Sequence, residues 1–188
     1  MKVDTYAVLP EELASQVKAI DRESFAWAYS QTPQAARRSK DKFCSARDRA
    51  GHIIVAEKRE VVGAAQWYRR TITVDGDTIL LGGIGSLCTR KDKRKLGVGT
   101  LLLKRAMQEL RRNSIDIAYL CTQVGKDWMV RFYEKAGFVC LVPGHTYTGR
   151  SGKRYTEYDG MIAPVCSRGV FSHITMMKRP LDIGRGNW

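Results

Sequence analysis

The stretch Arg94-Lys95-Leu96-Gly97-Val98-Gly99 has a composition with chemical meaning. The basic run Arg90 to Lys95 is followed by two glycines one residue apart. Leu101, Leu102, Met107 and Leu110 then recur at roughly helical spacing. The first N–H groups of a helix have no partner within it and carry partial positive charge. A phosphate group satisfies both, and glycine removes the Cβ that would hold it away from the backbone. The pattern predicts an anion cradle ahead of a helix from about Val98 to Arg112. It is not a nucleotide P-loop, which needs G-x-x-x-x-G-K-[ST]. It is not a dinucleotide fingerprint either, because the third glycine position of that motif holds Leu102.

Other chemistry-bearing residues are sparse in the sequence. Five cysteines (Cys44, Cys88, Cys121, Cys140, Cys166) form no C-x-x-C pair, and His52, His145 and His173 show no ligand spacing. Neither a disulfide framework nor a zinc site is expected, and free thiols suit a reducing cytoplasm. The 188 residues fit one domain, 1–188, with a real core. There are 32 Lys+Arg against 19 Asp+Glu, a formal charge of +13, which favours anionic partners. No secretory leader is expected at the start, and the longest apolar run, about Ile79 to Cys88, is too short for a bilayer.

The elements that must position the cradle follow from periodicity. Pro10-Glu11-Glu12 opens a helix with Leu13, Val17, Ile20 and Phe25 on one face. The basic stretch Thr32 to Gly51 is read as a second short helix or a mobile loop. His52–Glu57, Val61–Val74 and Thr78–Thr89 read as strands, with Asp75-Gly76 as a hairpin turn. Three glycines inside the third strand suggest a bulge or close approach of another group. Ile115–Thr122 is a buried-strand pattern, Asp127–Phe138 a short helix closed by Gly137, and FVCLVPG and YDGMIAPV two closing strands. Residues 166–188 read as an irregular tail. Together these make an α/β chain with a mixed sheet.

In this context R-x-x-G-x-G resembles the acyl-CoA cradle of the GNAT superfamily of N-acetyltransferases. The segment Arg131-Phe132-Tyr133-Glu134-Lys135-Ala136-Gly137-Phe138 resembles that family's second hallmark, and GGIGSLCT its strand beside the pantetheine arm. The resemblance, best from about Ile53 to Pro143, implies a mostly antiparallel central sheet flanked by helices, with acyl-CoA bound where two strands splay. It implies that the amides from Lys95 through Leu96, Gly97, Val98 and Gly99 to Thr100 hold the pyrophosphate, with Arg94 opening the loop. Backbone groups of Leu87, Cys88 and Thr89 would pair with pantetheine, and an amide near Leu87 or Cys88 would polarise the acetyl carbonyl. Tyr133 matches the general acid that protonates the departing thiolate. Many members place a glutamate base where Gly85 stands here, and no Asp or Glu lies between Ile79 and Arg90. Lys126 stands about where relatives often have asparagine.

The end, LDIGRGNW, resembles the tail of the aminoglycoside 2′-N-acetyltransferases, a group tied to antibiotic resistance. That likeness implies Asp182 and the Trp188 carboxylate as acceptor ligands, with the Trp188 carboxylate a candidate base. The tail, 166–188, is expected to line the acceptor site. The expected activity is acetyl transfer from acetyl-CoA, without metal, to a small-molecule primary amine in a ternary complex, by a cytoplasmic protein. A homodimer is expected by analogy only. A polycationic aminoglycoside sits poorly with +13 and with Gly85. Two alternatives are a basic enzyme acting on nucleic acid, aminoacyl-tRNA or protein, and a non-catalytic acyl-CoA sensor. The first rests on the charge and on the runs Arg37–Lys42, Arg90–Lys95 and Arg111-Arg112.

Overall fold

The computed structural model describes residues 1–26, 41–42, 44–122 and 125–188. Half of the basic stretch expected as helix or loop between Thr32 and Gly51, residues 32–40 and 43, lies outside them. A seven-stranded sheet has the order β1-β2-β3-β4-β5-β9-β6. Its strands are β1 (Lys2–Tyr6), β2 (Arg49–Glu57), β3 (Glu60–Val74), β4 (Asp77–Thr89), β5 (Ile117–Cys121), β6 (Val139–Cys140) and β9 (Gly160–Pro164). Only β4 and β5 run parallel within it. The expected mostly antiparallel mixed sheet is therefore present.

Alternation decides what each face carries. On one face, Ile84 of β4, Ala118 and Leu120 of β5 and Ala163 of β9 pack against α2 (Val98–Arg112) and α3 (Asp127–Glu134). Val98, Leu102, Leu103, Ala106 and Leu110 supply the apolar stripe of α2. On the opposite face, α1 (Glu11–Ser24) packs through Leu13, Val17 and Ile20 over Ile54, Ala64 and Cys88. Farther along that face lies a three-stranded sheet, order β10-β7-β8, built from β7 (His145–Thr148), β8 (Arg154–Glu157) and β10 (Leu181–Arg185). Together with α4 (Arg168–Met176) it covers Ile72, Leu81, Ile117 and Tyr119.

Two expectations are corrected here. The tail is not irregular: it forms α4, which Ser167 caps by accepting from the Val170 N–H, and β10, which pairs parallel with β7. Its strand signal is short because only Leu181 and Ile183 face the core. The stretch FVCLVPG holds only the two-residue β6, since the chain turns away at Leu141–Gly144. The Asp75-Gly76 turn forms as expected, with φ of 52° and 92°, the signature of a type I′ hairpin.

Candidate functional site

β4 lies between β3 and β5 and leaves β5 early. The two pair only at Leu81↔Ile117, Gly82↔Ala118 and Gly83↔Tyr119, while β4 stays paired with β3 as far as Thr89. The β3–β4 register shifts between Ala64 and Gln66, and opposite that shift Ser86 takes a left-handed φ of 48°. This is a bulge that turns the end of β4 outward. Beyond Gly83, the β5-facing edge of β4, including Leu87, Cys88 and Thr89, is thus unpaired with β5.

The start of α2 lies against this opening. Gly97 is its N-cap at φ 82°, Lys95 is left-handed at 63°, and no described side chain caps the helix. The first helical bond runs from the Leu101 N–H to the Gly97 carbonyl at 3.0 Å, so the N–H groups of Val98, Gly99 and Thr100 lie ahead of the ladder. The first turn carries no acidic residue. A Cβ on Gly99 would stand 3.5 Å from Phe132 and 3.8 Å from Leu87, which places the start of α2 beside both α3 and the parting strand. At Gly63 a Cβ would come within 2.5 Å of Val98, so the helix start seats directly on β3. The basic run divides by role. Arg90 is held by Asp92 and Glu60, and Lys93 by Glu57, whereas the Arg94 Nε donates to the Thr89 carbonyl at 3.2 Å. Leu96 is exposed, and Cys88 faces α1 from the other side of the strand, its thiol pushed up to about 12 by burial.

Tyr133 sits at the end of α3 on the same face as α2. Its ring lies edge-on to Phe132 at 5.0 Å and to Phe138 at 5.9 Å, and burial pushes its hydroxyl up to about 12. A proton donor needs to keep its proton at neutral pH, and this one does.

The opposite face is built from residues far apart in sequence. Tyr68, Gly83 and Tyr119 form one register row across β3, β4 and β5. With glycine in the middle, a slot opens between two tyrosines, and the indole of Trp188 fills it. A Cβ on Gly83 would meet that ring at 2.1 Å. Trp188 stacks on Tyr68 at 5.5 Å and lies edge-on to Tyr119 at 6.1 Å. Arg70 clamps the tail, its guanidinium 4.1 Å from the indole centroid. It donates to the carbonyls of Ile183 (2.6 Å) and Gly186 (3.0 Å) and pairs with Asp48 (2.6 Å). Asn187 accepts from the Tyr119 hydroxyl at 3.0 Å and the Cys121 thiol at 3.4 Å. Asp182 lies elsewhere: it is half-exposed, pairs with Arg154 and accepts from the Gly184 N–H.

The next register row is His52, Gln66 and Gly85. The Tyr68 ring would stand 3.1 Å from a Cβ at Gly85, so tyrosine fills the space of the absent glutamate. Tyr68 donates to the Gln66 amide oxygen at 2.6 Å, and burial raises its pKa. His52 and Gln66 line a cavity of about 240 Å³ between α1 and the Ser86 bulge, with Val17, Lys18 and Asp21 on the α1 side. Burial, with the Arg49 charge adding to it, holds the His52 imidazole below its ordinary value, hence neutral at neutral pH. A larger hollow of about 400 Å³ lies beside Asp75 and α4, at the far end of the β3–β4 hairpin. Spacing hid Tyr68, Arg70, Tyr119 and His52. The one visible clue was the alternation of Gly83 and Gly85 on a strand.

The comparisons with known proteins agree with this geometry. Residues 6–140 match the model of the acetyltransferase (GNAT) domain family. The ribosomal-protein-S18-alanine N-acetyltransferase of Escherichia coli superposes with TM-score 0.58 at 12% identity, covering 89% of this chain and 97% of that one. Escherichia coli ElaA gives 0.57 at 18%, covering 86% and 98%. A conserved Enterococcus faecalis protein gives 0.56 at 13%, covering 75% of this chain, which spans only 33% of that protein's length. No curated protein sequence matches the chain. An α/β fold with a sheet parted between two parallel strands, beside an uncapped helix start, defines the class. The chain belongs to the GNAT acetyltransferases and is an N-acetyltransferase, of a family that takes its acyl group from acetyl-CoA and gives it to amines. At these identities the structural likeness is one of fold. No helix among the described residues is long and apolar enough to cross a membrane.

Proposed function

We propose that the chain acetylates a primary amine of a small molecule, by direct attack on acetyl-CoA while both substrates are bound. The observation that carries this reading is the parting of β4 from β5 beside the uncapped start of α2. In this proposal the amides from Lys95 to Thr100 hold the pyrophosphate, with Arg94 at the loop entrance. The free edge of Leu87, Cys88 and Thr89 pairs with pantetheine like an added strand, and an amide there polarises the acetyl carbonyl. The amine nitrogen bonds to the carbonyl carbon, the carbon–sulfur bond breaks, and the Tyr133 hydroxyl protonates the leaving sulfur. The proton lost by the amine goes to His52, the neutral base on the row of Gly85.

The acceptor enters through the cavity under α1, and its volume of about 240 Å³ suits a small molecule. Three carboxylates of this face are ion-paired, Asp48 with Arg70, Glu157 with Lys42 and Asp182 with Arg154, and Asp21 is the one acidic residue among those lining the cavity. That argues for an amine of low charge rather than a polycation. The likeness of the tail to the aminoglycoside 2′-N-acetyltransferases is then one of architecture, with the Trp188 indole as a wall beside the acceptor. Five thiols kept free suit work in the reducing cytoplasm.

The test is free-thiol release from acetyl-CoA across aminoglycosides, polyamines, amino acids, small aryl and alkyl amines, and peptides. Turnover on small monoamines above the polycations supports the reading. A preference for aminoglycosides or for peptides would overturn its acceptor half. Acetyl-CoA binding without turnover on any acceptor would overturn its catalytic half.

A further inference from the structure

Beyond the tail, on the sheet face away from α2, three side chains from separate strands and turns converge. Cys121 ends β5, His145 begins β7, and Asp159 immediately precedes β9. The Cys121 Sγ lies 3.9 Å from the His145 Nε2, and that nitrogen lies 3.9 Å from the Asp159 Oδ1. All three donor atoms fall within 4.8 Å of one another. The backbone holds them there. The Thr122 N–H donates to the Asp159 carbonyl at 2.9 Å, Cys121 pairs with Gly160, and the missing Cβ of Gly160 leaves room for the His145 ring, 2.7 Å from where that Cβ would be.

The cluster is incomplete as a purely protein arrangement. The Asp159 Oδ1 is buried and has no hydrogen-bond partner, and the same is true of the His145 Nδ1. His145 is fully buried. A buried carboxylate oxygen left unpaired keeps its full desolvation penalty. Asp159 also remains 43% exposed as a side chain, which provides an entry path from solvent.

We propose that Cys121, His145 and Asp159 form a binding site for a divalent transition-metal ion of the zinc class. A thiolate, an imidazole and a carboxylate are the donor set such an ion selects, with an open fourth position for water. Tetrahedral bonds of about 2.0–2.3 Å place donor atoms about 3.3–3.7 Å apart. Two edges of the cluster therefore need to close by a few tenths of an ångström, and the third by at most about 1.5 Å. The ion supplies the partner that the Asp159 Oδ1 lacks. Lys42 opposes a cation here, but it is ion-paired with Glu157. Binding also reaches the acceptor wall. Once Cys121 has given up its proton it no longer donates to Asn187, whose amide oxygen keeps the Tyr119 hydroxyl and the Trp188 N–H as donors.

The inference stands apart from acetyl transfer, and its test reads no turnover. The purified chain is titrated with Co²⁺ and followed by absorbance. One ion per chain, with a near-ultraviolet thiolate-to-cobalt band, visible bands of tetrahedral intensity, and displacement by Zn²⁺, is the expected result. Cys121→Ser should abolish the thiolate band, and Asp159→Asn should weaken binding at least about tenfold. Asp159→Asn is the safer second variant, because His145→Gln alters a fully buried position. The absence of a thiolate band would overturn the site. So would a band that survives in folded Cys121→Ser, because it would come from other thiols such as the exposed Cys44 and Cys166.

Discussion

The two faces of the parted sheet are built differently. On the α2 face, the cradle and its strand run almost continuously from Leu87 to Thr100, and Tyr133 arrives on the next helix. On the α1 face, the cavity is lined from α1, β2, β3 and β4, the tail packs beyond it against Tyr68, Gly83 and Tyr119, and no two of His52, Tyr68, Gly83, Tyr119 and Trp188 are sequence neighbours. A pyrophosphate is recognised by backbone groups, which a short glycine-bearing segment can present by itself. An acceptor is recognised by shape, which needs side chains from several strands in register.

If the faces are separable in function, substitutions should separate too. The largest expected effect is on chemistry, where both meet. Tyr133→Phe should lower kcat by about 10²–10⁴-fold and leave the Kd for CoA unchanged, checked by turnover and calorimetry. Next is Gly97→Val. Its φ of 82° disfavours a β-branched residue, so CoA affinity should fall by roughly tenfold, matching about 1–2 kcal/mol of backbone cost. Acceptor preference should be untouched.

Gly83→Ala attacks the other face alone. The new methyl group displaces Trp188, and kcat/KM for the acceptor should fall by about tenfold through KM, with CoA affinity intact. Equal losses for both substrates would erase the distinction between the faces. The smallest effect is on pH dependence. Burial lowers the His52 pKa, so the base is neutral through pH 7 and protonates only below the ordinary imidazole value of about 6.5. The acid limb of kcat/KM should fall there and disappear in His52→Gln. An unchanged acid limb in that variant would remove His52 from the mechanism.

Much of the α2 face was legible in the residues themselves. The helix begins at Val98 and ends at Arg112 as its periodicity predicts, Gly97 caps it, and Gly137 closes the turn after α3 at φ 88°. These signals are local: helical spacing and left-handed glycines report on the few residues around them. The basic run was read for its charge, and in the fold Arg90 and Lys93 are ion-paired with Asp92, Glu60 and Glu57. Charge alone could not show that, since Glu57 and Glu60 precede the run by some thirty residues and a hairpin.

The tail shows the limit most plainly. Ending in Trp188, it carried a family likeness but little periodicity, and was read as irregular. In the fold it is ordered as β10 against β7 and locked by Arg70. Asp182 and Trp188 were both expected as acceptor ligands, but alternation about Ile183 turns Asp182 outward to Arg154. The sequence by itself determined the Asp75-Gly76 hairpin, the central strands, the helices around Val98–Arg112 and Asp127–Glu134, and the family likeness. Only the tertiary structure decided which residues line the cavity under α1, that Tyr68 occupies the space above Gly85, and that Cys121, His145 and Asp159 meet. The reason is physical: local conformation is written in neighbours along the chain, whereas a side-chain site is set by strand register and sheet packing, which no short segment encodes.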